Sequence, residues 1–177
     1  MADNDDIEYL KQLSAEIDLI RPDLQRLGFK RDNILILRDH PDYSAAIDVI
    51  FDHIQRPYLD RIQETLGRLL AHPSGFKYWR DLVDMYGRAN KDSSPGLMDG
   101  LAIALMEHCN RSKSPELRNE IIKLIRDRSR GQSRLLLLWC FRRKRDEESM
   151  NLIEELSTDP DLKVEIASWK RKPRTPH

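Results

Sequence analysis

The sequence is poor in residues that interrupt helices or crosslink chains, with only 7 Gly and 2 Cys in 177 residues. Runs of β-branched residues are also few, whereas Leu, Ile, Ala, Arg, Asp and Glu are abundant. This composition favours helix throughout and almost no strand. With 40% hydrophobic and 34% charged residues, the chain is predicted to fold as one globular, all-α domain with a sizeable core rather than to be disordered.

Long apolar segments are missing as well. The longest clean run, Leu135 to Phe141, is much shorter than the roughly 20 residues that span a bilayer. The first residues, Met1 to Asp6, are acidic, which is the reverse of a signal peptide's basic start. We therefore expect a cytoplasmic location, no membrane partner, and reduced, buried Cys109 and Cys140 rather than a disulfide.

The formal net charge of zero conceals an uneven distribution. Residues 1–66 carry 8 basic and 14 acidic side chains, whereas residues 111–145 carry 12 basic and 3 acidic ones. Such asymmetry can steer a charged partner, but surface charge also keeps helical proteins soluble.

Helical periodicity predicts a series of helix pairs. The first pair comprises Tyr43 to Ile54 and a helix that Pro57 opens; the second comprises "GFKYWRDLVDMYGRAN" and the helix around Leu101. Ser114 followed by Pro115 has the pattern of an N-cap with proline at the first helical position, and it opens the third pair.

Gly131 is expected to end the third pair's first helix in a left-handed conformation, and Gln132 to Arg145 is predicted to be the second helix. A fourth pair starts at Asp146 and continues through the turn "STDPDL". The four second helices contain the similar strings "LGRLLAH", "LAIALME", "LLWCFRR" and "IASWKRK".

This recurrence predicts an α-α superhelix, a solenoid of about four helical hairpins. We expect capping helices in residues 1–38, with Asp5 to Leu27 broken at Pro22, repeats in residues 39–171, and a disordered tail in residues 172–177.

The segments "LGFKRDNILILRDHPDYSAAIDVIFDHIQRPYLDRIQETLGRLLAH" and "SRGQSRLLLLWCFRRKRDEESMNLIEELSTDPDLKVEIASWKRK" resemble bacterial HEAT-repeat proteins of the short, PBS-lyase-like kind. The resemblance covers about residues 27–170. Where such repeats show a "DPDVR..A..AL" pattern, this chain has "DPDLKVEIASW", but Leu69 and Cys140 replace the usual alanines in other layers. The resemblance implies a HEAT-like scaffold that binds a protein partner.

No pattern in the sequence indicates a catalytic or metal site. The five histidines show no metal-ligand spacing, and there is no phosphate-binding glycine loop or nucleophile elbow. We therefore expect no enzyme activity and no cofactor. His72 and His108 are expected to be polar helix ends, and the tryptophans Trp79, Trp139 and Trp169 are expected to be core residues.

Two arginine clusters flank the apolar run at Leu135. They can complement helix dipoles and solvate the surface, bind an acidic protein surface, or bind phosphates. The predicted partner-binding residues are Arg61, Glu64, Arg68, Asp99, Glu107, Arg126, Arg128, Arg130, Arg134, Arg142, Arg143 and Arg145.

The favoured hypothesis is a non-enzymatic protein-binding scaffold, which by analogy could be an immunity or antitoxin protein that neutralises a toxin. The alternative is a DNA-binding HEAT-like protein. In its enzymatic form, an alkylpurine DNA glycosylase, Trp79 with Asp81 and Asp84, or Trp139 with Arg142, would hold a damaged nucleotide.

Overall fold

The computed structural model describes residues 4–29 and 33–169, and within them it contains helices and turns but no strand. The all-α prediction is confirmed for this part of the chain. The predicted tail at 172–177 lies outside the described residues. The α-helices are α1 (Asn4–Arg26), α2 (Ile47–Ile54), α3 (Asp60–Leu69), α4 (Trp79–Arg88), α5 (Pro95–Arg111), α6 (Pro115–Arg126), α7 (Arg134–Leu138), α8 (Glu147–Glu155) and α9 (Lys163–Trp169). Short 3-10 helices lie at Ile34–Asp39, Ser44–Ala46, Pro73–Tyr78, Arg128–Ser133 and Leu156–Thr158.

Helix α1 continues through Pro22, so the predicted break there is wrong. Ile20 and Leu24, on either side of the proline, are fully buried, and their packing stabilises the helix across the missing backbone donor. The first two turns are different, since Ile7 and Leu10 are 44% and 59% exposed. Only the second half of α1 therefore covers the core.

The remaining helices follow one another as four pairs in sequence, the last of which, α8 with α9, we call the C-terminal helix pair. Helix α2 contacts α3, α4 contacts α5, and α6 contacts α7, while the second helices α3, α5 and α7 contact one another in that order. Helix α3 begins at Asp60 rather than at Pro57 as predicted. Helix α5 is the central element, because it also contacts α6 and nine of its side chains or glycines are buried.

Glycines allow α3 and α5 to approach closely. A Cβ atom added to Gly67 would lie only 2.7 Å from the carbonyl carbon of Gly100, so a larger residue would force the helices apart. At one end of this contact, the carboxylate of Asp60 accepts hydrogen bonds from the backbone N–H groups of Gly96 (2.7 Å) and Leu97 (3.2 Å). Asp60 of α3 thus caps the N-terminus of α5.

The third pair shows one confirmed cap and two corrections. Ser114 accepts a hydrogen bond from the N–H of Leu117 (3.3 Å), and Pro115 is the first helical residue, as predicted. Gly131 does have positive φ, but its ψ of −140° lies outside the left-handed helical region. It lies at a kink inside the 3-10 segment Arg128–Ser133 and is not the cap of α6, which ends at Arg126.

The predicted helix from Gln132 to Arg145 is also wrong, because α7 ends at Leu138. Beyond it the backbone N–H groups of Cys140, Phe141 and Arg142 donate to carbonyls three residues earlier, which tightens the chain into 3-10-like turns. Cys140 and Phe141 remain buried, whereas Trp139 is 42% exposed. The prediction that Trp139 belongs to the core is therefore wrong.

Candidate interaction surface

The first arginine cluster mainly joins the third helix pair to the rest of the protein. At the end of α6, Arg126 donates two hydrogen bonds to the carboxylate of Glu155 in α8, at 3.0 and 2.7 Å. Nε of Arg128 lies 3.3 Å from the carboxylate of Asp159. Both arginines have exposed side chains, but each is already paired with a carboxylate of the C-terminal helix pair.

The prediction that Arg134 is a partner-binding surface residue is wrong, because its side chain is 0% exposed. Its guanidinium donates two hydrogen bonds to Asp159 (3.0 and 2.9 Å) and one to Asp161 (2.7 Å). Arg134 holds the pKa of Asp159 below its usual value, chiefly through these hydrogen bonds. Burying a guanidinium requires such a partner, and here it lies in the "STDPDL" turn.

Arg130 points inward as well. It pairs with Asp127 at 2.9 Å and donates to the backbone carbonyls of Tyr86 (3.2 Å) and Ala89 (2.9 Å) at the end of α4. The second and third helix pairs are joined through this side chain. All four predicted arginines between 126 and 134 therefore form contacts within the protein.

The second cluster forms an exposed surface, which we call the basic turn: Trp139 and the four consecutive cations at 142–145. Arg142 lies over the ring of Trp169, 5.6 Å from its centroid. Within residues 4–29 and 33–169, no carboxylate forms a salt bridge with Arg142, Arg143, Lys144 or Arg145, and all four are exposed. The basic turn thus combines uncompensated positive charge with an exposed aromatic ring.

The predicted residues of the second helices form a different surface with mixed charge. Glu64 pairs with Arg61 (3.6 Å) and Arg68 (2.7 Å) on α3. Burial raises the pKa of Asp99 on α5, and the nearby charge of Glu64 raises it further. Glu107 pairs with Arg111 at 3.1 Å at the other end of α5. The structure therefore brings two carboxylates, Glu64 and Asp99, together with the guanidinium of Arg68.

Sequence patterns did not indicate two features of this region. The exposure of Trp139 depends on the early end of α7, for which the apolar run gave no signal. The ion pairs of Arg118 with Asp146 and Glu148 join residues about 30 positions apart, which local periodicity does not relate. A basic residue on one helix pair and an acidic residue on the next is the signal that could have identified them.

Burial also tests two further predictions, that Trp79 is a core residue and that His108 is a polar helix end. Trp79 is buried and its indole N–H donates to Glu120 at 2.7 Å. His108 is not a polar helix end: it is 1% exposed, lies beside Phe76, and its Nε2 bonds the carbonyl of Leu70 at 2.9 Å. Burial lowers the pKa of His108 to about 4, so this histidine is neutral at pH 7.

Within the part of the chain that the structure describes, no group of three or more His, Cys, Asp or Glu side chains could hold a metal ion. None of the described helices combines the length and apolarity needed to cross a membrane. The chain matches no protein-family profile, no curated protein sequence and no solved structure.

Proposed function

We propose that this protein is a non-enzymatic, HEAT-like helical-repeat protein that binds the acidic surface of another protein. The repeat arrangement is supported by the pairing of successive helices and by the side-by-side contacts of α3, α5 and α7. Solenoids of this kind present one set of helices and the adjoining turns to a partner. A cytoplasmic location is part of the same proposal.

The basic turn is the observation that carries this function. The arginines at 126–134 are compensated by carboxylates or carbonyls of the same chain, whereas the cations at 142–145 have no such carboxylate among the described residues. Their field remains available to a negatively charged partner, and it accelerates association at low ionic strength. Trp139 adds an apolar contact of the type enriched at the centres of interfaces.

An immunity or antitoxin protein is the specific form that we propose for this binding role. A small domain with an acidic half and a basic half is suited to covering a charged site on a toxin domain. The support for this form is analogy of architecture and charge.

The test is affinity capture of the tagged protein from native extract, with and without nuclease, followed by mass spectrometry. We expect one stoichiometric protein that survives nuclease, and its loss with the Arg143→Glu/Arg145→Glu variant. The matched control is Arg56→Glu/Arg88→Glu, which makes the same charge change on exposed arginines of the first two helix pairs. Capture that is equally weak with both variants would reject the basic turn as the binding surface.

DNA binding is the second candidate, and the exposed ring of Trp139 beside four cations favours it. Such a combination allows base stacking together with phosphate contacts. In that case the captured material would disappear on nuclease treatment. Binding of a short DNA would weaken with salt, and the log–log slope would fall by about 0.9 for each phosphate contact removed from a duplex. The glycosylase form has less support, because the ring of Trp79 is buried against Glu120.

A further inference from the structure

The two cysteines, 31 positions apart in sequence, are neighbours in the fold. Cys109 lies in the last turn of α5, and Cys140 lies in the turn that follows α7. Both are free thiols, both line the same cavity, and each alters the pKa of the other. The sequence predicted two reduced, buried thiols; the structure buries Cys140, leaves Cys109 partly exposed, and places both at one cavity.

The pair opens onto a cavity of about 370 Å³ at the edge of the basic turn. Cys109 is partly exposed there, while Cys140 is only 5% exposed. The cavity is also lined by three cations, by one carboxylate that pairs with Arg118, and by a hydroxyl: Lys113, Arg118, Lys144, Glu148 and Ser114. A small polar molecule can thus reach the sulfur of Cys109 more easily than the sulfur of Cys140.

The electrostatic environment distinguishes the two thiols. The neighbouring Cys140 thiol lowers the pKa of Cys109, and the charges of Arg118 and Lys144 lower it further, against the opposing effect of burial. The neighbouring Cys109 thiol and burial raise the pKa of Cys140. Cys109 is therefore the thiol that ionises and Cys140 the one that stays protonated, which is the arrangement of an attacking and a resolving cysteine.

We propose that Cys109 and Cys140 form an oxidant-sensitive dithiol that reacts with hydroperoxides to give an intramolecular disulfide. The Cys109 thiolate attacks the terminal oxygen of the hydroperoxide, the O–O bond breaks, and the alkoxide or hydroxide leaves and takes up a proton. Cys109 is then a sulfenic acid. The sulfur of Cys140 attacks the Cys109 sulfur, the S–S bond forms, and hydroxide leaves with the proton of Cys140 as water. In total, two thiols and one hydroperoxide give one disulfide, one alcohol or water, and one water.

The geometry favours closure within one molecule. Both thiols line the same cavity and each alters the pKa of the other, so they are close enough to pair with each other rather than with a second molecule. Closure would attach Cys140, which lies between Trp139 and Phe141, covalently to α5. The basic turn would therefore be held more rigidly in the oxidised protein, a consequence that bears on partner binding only if the proposed function is correct.

The test uses the native full-length protein and hydrogen peroxide. We expect loss of both thiols and a proteolytic peptide that links Cys109 to Cys140. The mass should fall by about 2 Da, because two hydrogens leave when one disulfide forms. Cys140→Ser should accumulate a Cys109 sulfenic acid that dimedone traps. Cys109→Ser should react at least about tenfold more slowly, because Cys140 is protonated and buried.

Two further variants separate the local charge from a general effect of the basic turn. Lys144→Gln should slow the reaction of Cys109 several-fold, whereas Arg145→Gln, which removes the adjacent charge outside the cavity lining, should leave the rate unchanged. Circular dichroism checks that all variants are folded. Disulfides only between molecules, or equal peroxide rates for the wild type and Cys109→Ser, would overturn the proposal, and neither result depends on whether a binding partner exists.

Discussion

Replacing Arg134 with methionine should destabilise the protein far more than the same change at Arg126. Both arginines form bidentate hydrogen bonds with a carboxylate of the C-terminal helix pair. They differ in burial: the side chains of Arg134 and Asp159 are 0% and 1% exposed, whereas those of Arg126 and Glu155 are 54% and 47% exposed. Arg134 also donates to Asp161 and to the carbonyls of Ile125 and Gly131, so the comparison measures burial together with these additional bonds.

The magnitudes follow from what each change leaves behind. Removing one partner of a buried ion pair costs about 3–5 kcal/mol, because a charge stays buried without its partner. Asp159 keeps the N–H of Asp161 (3.0 Å) and the exposed Arg128, so we expect a value near the lower end, about 3 kcal/mol. Arg126→Met breaks an exposed pair, for which about 0.2–1 kcal/mol is typical.

Urea denaturation followed by circular dichroism gives both free energies of unfolding by linear extrapolation. In a chain of this size about 3 kcal/mol lowers Tm by roughly 6–12 °C. The double variant Arg134→Met/Asp159→Asn should recover part of the loss, since no unpaired charge is then buried. Losses for Arg134→Met and Arg126→Met that agree within about 0.5 kcal/mol would refute the argument that burial decides the cost.

Three other changes have clear expected results. Gly67→Ala should lower the free energy of unfolding, measured by urea denaturation, by about 1–3 kcal/mol because the backbones of α3 and α5 are in contact there. The control Gly87→Ala, with open space around the added Cβ, should be neutral or stabilising by up to about 1 kcal/mol. Equal losses in the two variants would contradict the close contact. Because the folded-state pKa of His108 is depressed from 6.5 to about 4, the wild type should lose stability as pH falls through that range, and His108→Gln should lose less in a pH series of melting curves. The pKa of Asp146 is lowered from 3.8 to about 2, mainly by the hydrogen bond from the backbone N–H of Ser149, so its contribution to stability is present above pH 3.8 and is lost as pH falls toward 2. Asp146→Asn, which keeps a capping side chain, should therefore reduce the loss of stability at low pH in the same melting curves. An unchanged loss at low pH would exclude this carboxylate as its cause.

Local patterns predicted the all-helical character and some helix starts, because these depend on neighbours in sequence. Ser114 with Pro115 is an example, since a cap and the first helical residue are adjacent. Pro22 shows the limit of that reasoning: the burial of Ile20 and Leu24, a tertiary effect, outweighs the local preference for a break.

The candidate surface was harder to predict because charge alone does not show which arginines are exposed. Arg134 and Arg143 occupy similar basic contexts, but Arg134 is buried because Asp159, 25 residues later, folds back to meet it. Trp139 was assigned to the core from a continuous apolar run, and the change to three-residue hydrogen bonding after Leu138 turned it outward. Both errors arise from contacts that no window of local sequence contains.

The cap that Asp60 supplies to α5 has a consequence for the order of folding. Ser94, immediately before α5, makes no side-chain capping bond, so the N–H groups of Gly96 and Leu97 gain their acceptor only when α3 has formed and docked. A helix N-terminus is normally capped by the residue just before it, but the N-terminus of α5 is capped by Asp60, which lies 36 positions before Gly96. The nucleation of the central helix is thereby tied to a tertiary event, and α3 and α5 should form together in the folding transition state as one cooperative unit.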